Sequence, residues 1–222
     1  MSQPIDRTRA RQLASEYADK GDPTGWFEVL YKEAEEGRSV IPWADRGASP
    51  GLLEFSAQHP LAAAGKTALV IGCGLGDDAE QLAAWGFATT AFDISATAIR
   101  TARKRFPHSS VCYQAADLFQ PPPEWQHAFD FVFEANTIQA LPTTVRSEAV
   151  RRIAGFVRPG GSLLAIVRGR EPDEPTGELP WPVTRAELDE FGRAGLREVS
   201  LENYFDSEDP PARRFRVLYA RP

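Results

Sequence analysis

The clearest alternation of hydrophobic and polar positions lies in residues 66–95. Residues 67–71 are β-branched or apolar, which is typical of a strand buried on both faces of a parallel sheet. Residues 79–85 place apolar side chains at helical spacing, and residues 87–92 form a second apolar run. The pattern predicts a strand, a glycine turn, a helix and a second strand.

The rest of the chain continues this alternation. Further strands are predicted at residues 110–114, 129–133, 162–167, 196–205 and 215–222, and further helices at residues 5–20, 23–37, 94–106, 143–157 and 184–195. Residues 41–55 have the composition of a loop that carries Trp43 and Asp45. Strands that alternate with helices favour an α/β fold with a mainly parallel sheet.

The turn between the first two strands carries the most specific chemistry. Gly72, Gly74 and Gly76 let the backbone come close to a ligand, and Asp93 ends the next strand roughly twenty residues on, where a carboxylate accepts the hydroxyls of a ribose. A dinucleotide fingerprint has a glycine where this chain has Asp77. An acid there repels phosphates but suits a cationic or zwitterionic ligand. S-adenosylmethionine (SAM) is such a ligand, so Asp77 argues against a NAD-dependent oxidoreductase.

Composition mainly narrows the possible partners. The 222 residues suffice for one domain with an N-terminal extension, and the formal charge of -6 argues against a nucleic-acid partner. The sequence has no long apolar span and no signal-peptide core, so we expect a cytoplasmic protein that does not contact a membrane. Its two cysteines and three scattered histidines predict neither a metal site nor a disulfide. The oligomeric state stays open.

Three motifs resemble a known family. The pattern G-C-G-x-G-D, which starts at Gly72 and has Asp93 beyond it, resembles the SAM-binding signature of class I methyltransferases. W-x-x-x-x-Y, which begins at Trp26, and I-P-W-A-D-R-G-A-S-P at residues 41–50 are similar to the N-terminal segment of the thiopurine, thiol and halide methyltransferase group. V-R-P-G-G-S-L-L at residues 157–164 resembles the late helix, turn and strand of the same fold.

The resemblance implies a fold and a division of the chain. The expected fold is α/β and Rossmann-like, with a mostly parallel seven-stranded sheet, an antiparallel C-terminal strand and helices on both faces. A helical lid is expected at residues 1–60 and a SAM-binding methyltransferase domain at residues 61–222. E-A-N-T-I-Q at residues 134–139 replaces an aromatic-rich stretch of halide-using relatives, and Ala44 separates Trp43 from Asp45. Both departures argue against a halide acceptor.

The resemblance and the strand ends together predict the site residues. Ligands of open parallel sheets bind beyond the carboxyl ends of the strands where strand order reverses, here between the first and fourth strands. The predicted cofactor-binding residues are Trp43, Gly72, Cys73, Gly74, Gly76, Asp93, Ile94, Asp117, Leu118, Ala135 and Asn136. The predicted substrate-binding residues are Trp26, Tyr31 and Trp181, and the catalytic candidates are Asp45, Glu134 and Gln139. Packing and capping roles remain open alternatives for Trp43, Asp117, Glu134, Gln139 and Trp181, and for the aromatic stripe of the second helix.

The general bases near the predicted site indicate which acceptor the protein methylates. A phenol or alcohol acceptor usually needs a general base, most often histidine, and none lies near residues 43–45, 134–139 or 181. A thiol has a pKa of about 8.5 and supplies some thiolate near neutral pH. The hypothesis is therefore methylation of a small, partly aromatic thiol, without a metal. An O- or N-methyltransferase with an acidic base and a non-catalytic SAM-binding protein remain alternatives.

Overall fold

The computed structural model describes residues 6–44 and 47–222. Its strands are β1 (Thr67–Ile71), β2 (Ala88–Asp93), β3 (Cys112–Ala115), β4 (Phe129–Ala135), β5 (Val157–Arg168), β6 (Arg197–Phe205) and β7 (Arg213–Ala220). Its α-helices are α1 (Thr8–Ala18), α2 (Trp26–Glu35), α3 (Pro50–Gln58), α4 (Asp77–Ala84), α5 (Ala96–Arg105), α6 (Thr143–Phe156), α7 (Arg185–Leu188) and α8 (Glu190–Arg193). Short 3-10 turns lie at Pro123–Trp125 and Ile138–Ala140.

All seven strands belong to one sheet, in the order β3-β2-β1-β4-β5-β7-β6. β7 runs antiparallel to both of its neighbours, and the other paired strands are parallel. The chain moves outward from β1 to β3 on one side and returns to β4 on the other. Strand order therefore reverses between β1 and β4, as the sequence predicts, and the expected Rossmann-like fold class is confirmed.

The central strand shows why the sheet is covered on both faces. Leu69 and Ile71 pack into the apolar cluster that includes α6, whereas Ala68 and Val70 pack into the cluster that includes α3, α4 and α5. Successive side chains of a strand point to opposite faces, so a continuous apolar strand needs helices on both sides. The helices found on both faces confirm that expectation.

One helix is missing from the sequence-based prediction. Residues 41–55 are predicted as a loop, but α3 begins at Pro50 inside this segment. Proline suits the first helical position, and Leu52 and Phe55 bury themselves against the sheet. The backbone N–H of Ser49 donates to Asp78 Oδ1 at 2.7 Å, which fixes the start of the helix. Tertiary burial thus overrides a loop-like composition.

The predicted helix at residues 184–195 is divided in two at Asp189. The predicted capping box is present, since the Thr184 side chain accepts from the N–H of Glu187 and the Glu187 side chain accepts from the N–H of Thr184.

The N-terminal helices form a third apolar cluster beside the sheet. Leu13 of α1 packs with Trp26 and Leu30 of α2, and Arg9 joins the helices through two hydrogen bonds to Glu33 at 2.8 and 2.6 Å. The division of the chain at residue 60 stays a prediction. Within residues 6–44 and 47–222, no helix is both long enough and apolar enough to cross a membrane.

Candidate functional site

The glycine turn after β1 brings backbone close to its neighbours. Gly72, Gly74 and Gly76 have φ values of 57°, 53° and 94°, a region that other residues rarely adopt. A Cβ added at Gly74 would lie 2.9 Å from Tyr31 Oη, and one at Gly72 would lie 2.5 Å from Thr137 Oγ1. The three positions therefore need glycine for conformation and for space.

Asp93 lies at the end of β2 with its carboxylate at the centre of this turn. Its Oδ2 accepts from the backbone N–H of Gly74 and its Oδ1 from that of Ser95, both at 2.9 Å. Burial raises the pKa of Asp93 to about 6, although these N–H groups favour the charged form. Among the described residues no side-chain cation pairs with it. A carboxylate has about four lone-pair sites, so acceptor capacity remains.

Asp77 is not placed as the sequence-based argument expected. Its carboxylate makes a bidentate ion pair with Arg105 at 2.6 and 2.8 Å, where the side chains are 18% and 26% exposed. It does not line the cavity described below. Its negative charge is matched by Arg105, so it cannot by itself select a cationic ligand. Asp77 therefore gives no reason to exclude a phosphate ligand, contrary to the sequence-based prediction.

Helix α2 is attached to the start of α5 by a partly buried carboxylate. Glu28 accepts from Ser95 Oγ at 2.6 Å and from the N–H and Oγ1 of Thr97 at 3.1 and 2.9 Å. Partial burial raises its pKa, but these donors and Lys32 outweigh that effect and hold the pKa at about 2. Glu28 is therefore ionised over the working pH range and holds α2 against the loop that follows Asp93.

Because Glu28 holds α2 in place, aromatic side chains of α2 pack with Trp43 into an aromatic wall. Trp43 Nε1 donates to Tyr31 Oη at 2.9 Å, and the Trp43 ring lies edge-on to Phe27 and Tyr31, with centroids 6.2 Å away in each case. Phe27 stacks on Trp26 at 3.9 Å, and Trp26 is 1% exposed. Phe27 and Tyr31 are four residues apart and share one face of the helix, so they face the cavity while Trp26 supports them from behind.

These elements line one open cavity at the carboxyl edge of the sheet, with about 1180 Å³ of empty space when the solvent at its mouth is included. The sequence-predicted residues that line it are Tyr31, Trp43, Gly72, Asp93, Ile94, Asp117, Leu118, Ala135, Asn136 and Gln139. Those that do not line it are Trp26, Cys73, Gly74, Gly76, Glu134 and Trp181. Asp45 lies outside the described residues. The structure thus gathers most of the predicted cofactor residues at one cavity.

Glu134 lies behind the cavity wall. It is fully buried, and its Oε1 accepts from the N–H groups of Thr137 and Ile138 at 2.7 and 3.0 Å. Its Oε2 has no hydrogen-bond partner in the described structure, and burial raises the pKa to about 7. In this arrangement Glu134 holds the turn after β4 and touches no ligand space, so its predicted catalytic role has no direct route to an acceptor.

Gln139 is placed at the wall but both ends of its amide are in use. Its Oε1 accepts from the backbone N–H of Arg168, and its Nε2 donates to Asn136 Oδ1 at 3.0 Å. It joins the ends of β4 and β5. A catalytic role for Gln139 stays a prediction.

Trp181 helps to position a long loop rather than line the cavity. Arg146, which is 3% exposed, donates to the carbonyl oxygens of Leu141 and Trp181 and pairs with Glu187 at 2.7 Å. The loop so anchored presents Leu179 and Pro180 to the cavity instead. Nothing in the sequence singles out Arg146, because Trp181 and Glu187 lie 35 and 41 residues away from it.

Asp117 is placed beyond the end of β3, as predicted. Its Oδ1 accepts from the N–H of Phe119 at 2.8 Å, and its Oδ2 takes part in no hydrogen bond within the described part of the chain. Its neighbour Leu118 is 7% exposed and lines the same cavity. One carboxylate oxygen is thus available beside an apolar surface.

Sequence reasoning missed a polar group at the opposite end of the cavity. Arg7, Arg168, Glu208 and Arg214 line it, and Phe27 and Thr24 were missed as well. Phe27 could have been found from its position four residues before Tyr31. The charged residues share no motif: strand pairing sets Arg168 opposite Arg214, and Arg7 and Glu208 come from segments outside the strands.

Comparisons with known proteins agree with this geometry. Residues 68–161 match the family model described as a methyltransferase domain. A probable thiol methyltransferase 2 of Arabidopsis thaliana is 30% identical over 128 residues, which cover 55% of this chain and 54% of that protein. The chain therefore spans about half the length of this curated relative.

Solved structures share the whole architecture. The N-methyltransferase NodS of Bradyrhizobium japonicum, solved with S-adenosyl-L-homocysteine (SAH), is 21% identical with a TM-score of 0.67 and covers 88% of this chain and 99% of its own. The 1,6-didemethyltoxoflavin-N1-methyltransferase of Burkholderia thailandensis is 17% identical with a TM-score of 0.66, over 100% and 93% of the two chains. Residues 68–161 therefore match a methyltransferase domain, and the chain has the fold of the solved class I SAM-dependent methyltransferases.

Proposed function

We propose that this protein is a SAM-dependent methyltransferase that acts on a small-molecule acceptor, with a thiol sulfur as the favoured acceptor atom. The observation that carries the proposal is Asp93, a buried carboxylate with acceptor capacity left, which faces a cavity at the reversal of strand order. The methyltransferase family match over residues 68–161 supports the same cofactor.

The residues of the cavity fit the functional groups of SAM. Asp93 would accept from the two ribose hydroxyls, since a carboxylate has about four lone-pair sites and its backbone donors do not use all of them. Asp117 would accept from the adenine amino group, with Leu118 against the ring. The lining continues beyond these cofactor residues to Arg168, Leu179 and Arg214, where an acceptor would lie.

When bound, SAM supplies a methyl group that its sulfonium already activates for transfer. The protein therefore has to orient the acceptor and keep water away. Phe27, Tyr31 and Trp43 form the apolar cover that would exclude water, and Glu28 keeps their helix in place. Burial raises the pKa of Tyr31 well above its usual value, so its hydroxyl stays neutral beside the cavity.

The preference for sulfur follows from the shortage of a general base among the described residues that line the cavity. No histidine lines the cavity in the described part of the chain. Asp93 and Asp117 are assigned to the cofactor, and Glu208 is paired with arginines. A thiol needs little help, because its pKa of about 8.5 leaves a reactive thiolate fraction near neutral pH. The Arabidopsis relative carries the name thiol methyltransferase.

A nitrogen acceptor is the second candidate. Two of the solved structures with this fold are N-methyltransferases by name, and an amine can attack from its neutral form without a strong base. A catalytic role for Asp45 also stays a prediction. A SAM-binding protein without turnover is the third outcome.

The test combines cofactor binding with product release. Purified protein is titrated with SAM by calorimetry and then incubated with SAM and a panel of thiols, phenols and amines, with SAH release as the readout. We expect release with thiols, and we expect Asp93→Asn to bind SAM at least tenfold more weakly than Asp173→Asn, an exposed control outside the cavity. Unchanged affinity in Asp93→Asn contradicts the cofactor site, and release with amines alone contradicts the sulfur preference.

A further inference from the structure

Three arginines meet at the end of the cavity that lies farthest from Asp93. Arg168 ends β5 and Arg214 is the second residue of β7, and the two residues face each other in the antiparallel ladder. Arg7 reaches the same place from the N-terminal segment. All three line the cavity. Three strand spacings separate β2 from β5, so this group lies about 14 Å across the sheet from Asp93.

The carboxylates around these arginines do not balance their charge. Arg214 pairs with Asp206 at 2.6 Å and with Glu208 at 2.8 Å. Glu208 also pairs with Arg7 at 3.1 Å and with Arg168. Among the described residues of this group, three guanidinium groups share two carboxylates, which leaves one positive charge in excess. The side chains are only 13% to 25% exposed, so solvent screens that excess incompletely.

Like charges placed directly opposite each other on neighbouring strands destabilise a sheet. Burial lowers the pKa of Arg168, and the nearby Arg214 and Arg7 lower it further against the effect of Glu208. Glu208 joins all three arginines but can neutralise only one of them. The arrangement is therefore costly in the free protein and would be relieved by an additional anion.

A chain of hydrogen bonds leaves one more side-chain donor without a partner among the described residues, next to Arg214. Arg168 N–H can only donate, so the atom of Gln139 that receives it is Oε1, and Gln139 Nε2 must then donate to Asn136 Oδ1. Arg214 Nη1 also donates to Asn136 Oδ1, at 2.9 Å. Both contacts fix the same orientation of the Asn136 amide. Its Nδ2 donates to no group in the described part of the chain, and Asn136 lines the cavity.

The backbone conformation of Asn136 also indicates a ligand-binding position. Its φ of 67° lies in the left-handed region, which non-glycine residues rarely occupy and which asparagine tolerates best. Residues held in this region concentrate at ligand-binding positions, because the surrounding structure has to enforce them. The cavity that carries this excess positive charge is also lined by apolar side chains, among them Ala10, Phe27 and Leu179.

We propose that Arg7, Arg168, Arg214 and Asn136 form a subsite for a carboxylate on the acceptor, so that the substrate is an aromatic or apolar small molecule that carries an acidic group. Arginine pairs with carboxylates through two parallel hydrogen bonds, which would also orient the acceptor. This inference rests on the proposed function for the identity of the ligand as an acceptor. The binding of a carboxylate itself does not depend on turnover.

The experiment compares two probes of nearly equal shape, 4-mercaptobenzoate and 4-mercaptobenzamide. Their dissociation constants are measured by calorimetry with SAH present, so that no methyl transfer occurs. We expect the carboxylate to bind at least tenfold more tightly than the amide. Arg168→Gln should reduce this preference to less than about threefold. Arg213→Gln is the matched control, since Arg213 is the neighbouring arginine of β7, pairs with Glu171 and does not line the cavity.

A second variant should change the preference for the carboxylate probe in the opposite direction. Glu208→Gln removes one of the two carboxylates and should strengthen the preference for 4-mercaptobenzoate by about threefold or more. This gain cannot come from partial unfolding, which weakens both probes alike, and thermal melting of each variant checks the fold. Equal binding of both probes, a preference that survives in Arg168→Gln, or a dissociation constant for 4-mercaptobenzoate weaker than about 1 mM would overturn the subsite.

Turnover then separates the two proposals. If both thiols are methylated with equal kcat/KM, the proposed function stands and the carboxylate subsite is wrong. If the carboxylate preference in binding is present but neither SAM binding nor SAH release is observed, the subsite stands and the proposed function is wrong.

Discussion

At the β2 end of the cavity the ligand-facing groups come from one short stretch of chain, whereas at the β5 end they come from both termini and the middle. Gly72, Asp93 and Ile94 lie within a single strand, turn, helix and strand, and much of their contribution is backbone. More than a hundred residues separate Arg7 from Arg168, and α7, α8 and β6 lie between Arg168 and Arg214. The first end is a local motif, and the second end exists only when the sheet has closed.

The two ends should respond differently to substitution. Damage at the β2 end should act on cofactor binding, because it changes the backbone around Asp93. Damage at the β5 end should act on the choice of acceptor, because it changes side-chain charge. Four substitutions test this difference between the two ends, and the expected effect decreases from Gly74→Ala to Trp43→Phe.

Gly74→Ala should have the largest effect, a loss of about 2–4 kcal/mol in the free energy of unfolding together with weaker SAM binding. The backbone has a φ of 53°, and the new Cβ would lie 2.9 Å from Tyr31 Oη. Gly177→Ala is the control, since its φ is 65° but nothing lies within 4 Å of the added atom. Urea unfolding checks both variants, and equal losses would show that the contact with Tyr31 adds nothing.

Glu134→Gln should change how stability depends on pH, by up to about 3 kcal/mol between pH 5 and pH 8. The pKa of about 7 in the folded protein lies above the usual 4.5, so the unfolded chain loses this proton first. The cost of the buried charge is therefore absent below about pH 4.5 and complete above about pH 7, and stability falls over that interval.

The variant lacks this charge, so its stability relative to the unchanged protein should rise from pH 5 to pH 8. Denaturant unfolding at both pH values measures the difference. Glu124→Gln, which changes an exposed acid outside the cavity, should show no such trend. A pH-independent difference for Glu134→Gln would mean that Glu134 titrates normally.

Asp93→Ala should weaken SAM binding by about 1–3 kcal/mol, because charge-assisted hydrogen bonds to the ribose are lost. The pKa of about 6 adds a pH signature. In the unchanged protein SAM should bind more tightly at pH 7.5 than at pH 5, since only the ionised carboxylate accepts fully. Calorimetry at both pH values should find this dependence reduced in Asp93→Ala, and a variant that keeps it would point to another titrating group.

Trp43→Phe should have the smallest effect, about 1 kcal/mol in stability and about fivefold in SAM affinity. The substitution keeps an aromatic ring but removes the hydrogen bond from Nε1 to Tyr31 Oη. Trp85→Phe serves as control, since Trp85 is also half-buried and does not line the cavity. A larger loss of stability than of affinity would assign Trp43 to packing alone.

The sequence-based predictions succeeded where the physical reason is local. The strands, the reversal between β1 and β4 and the capping box at Thr184 follow from hydrophobic period and short-range hydrogen bonds. The prediction failed at α3, whose loop-like composition is overridden by the burial of Leu52 and Phe55. Asp77 was misplaced for a related reason, because its partner Arg105 lies a whole strand and helix further along the chain.

The β2 end of the cavity can be predicted from the sequence, since a glycine turn and the acid that follows it depend on backbone conformation and a short separation along the chain. The β5 end forms only on folding. The pairing of β5 with β7 sets Arg168 opposite Arg214, and α1 and α2 bring Arg7 and Phe27 to the same space. Charges distant in sequence interact only after folding has fixed the distance between them, and no periodicity along the chain records that distance.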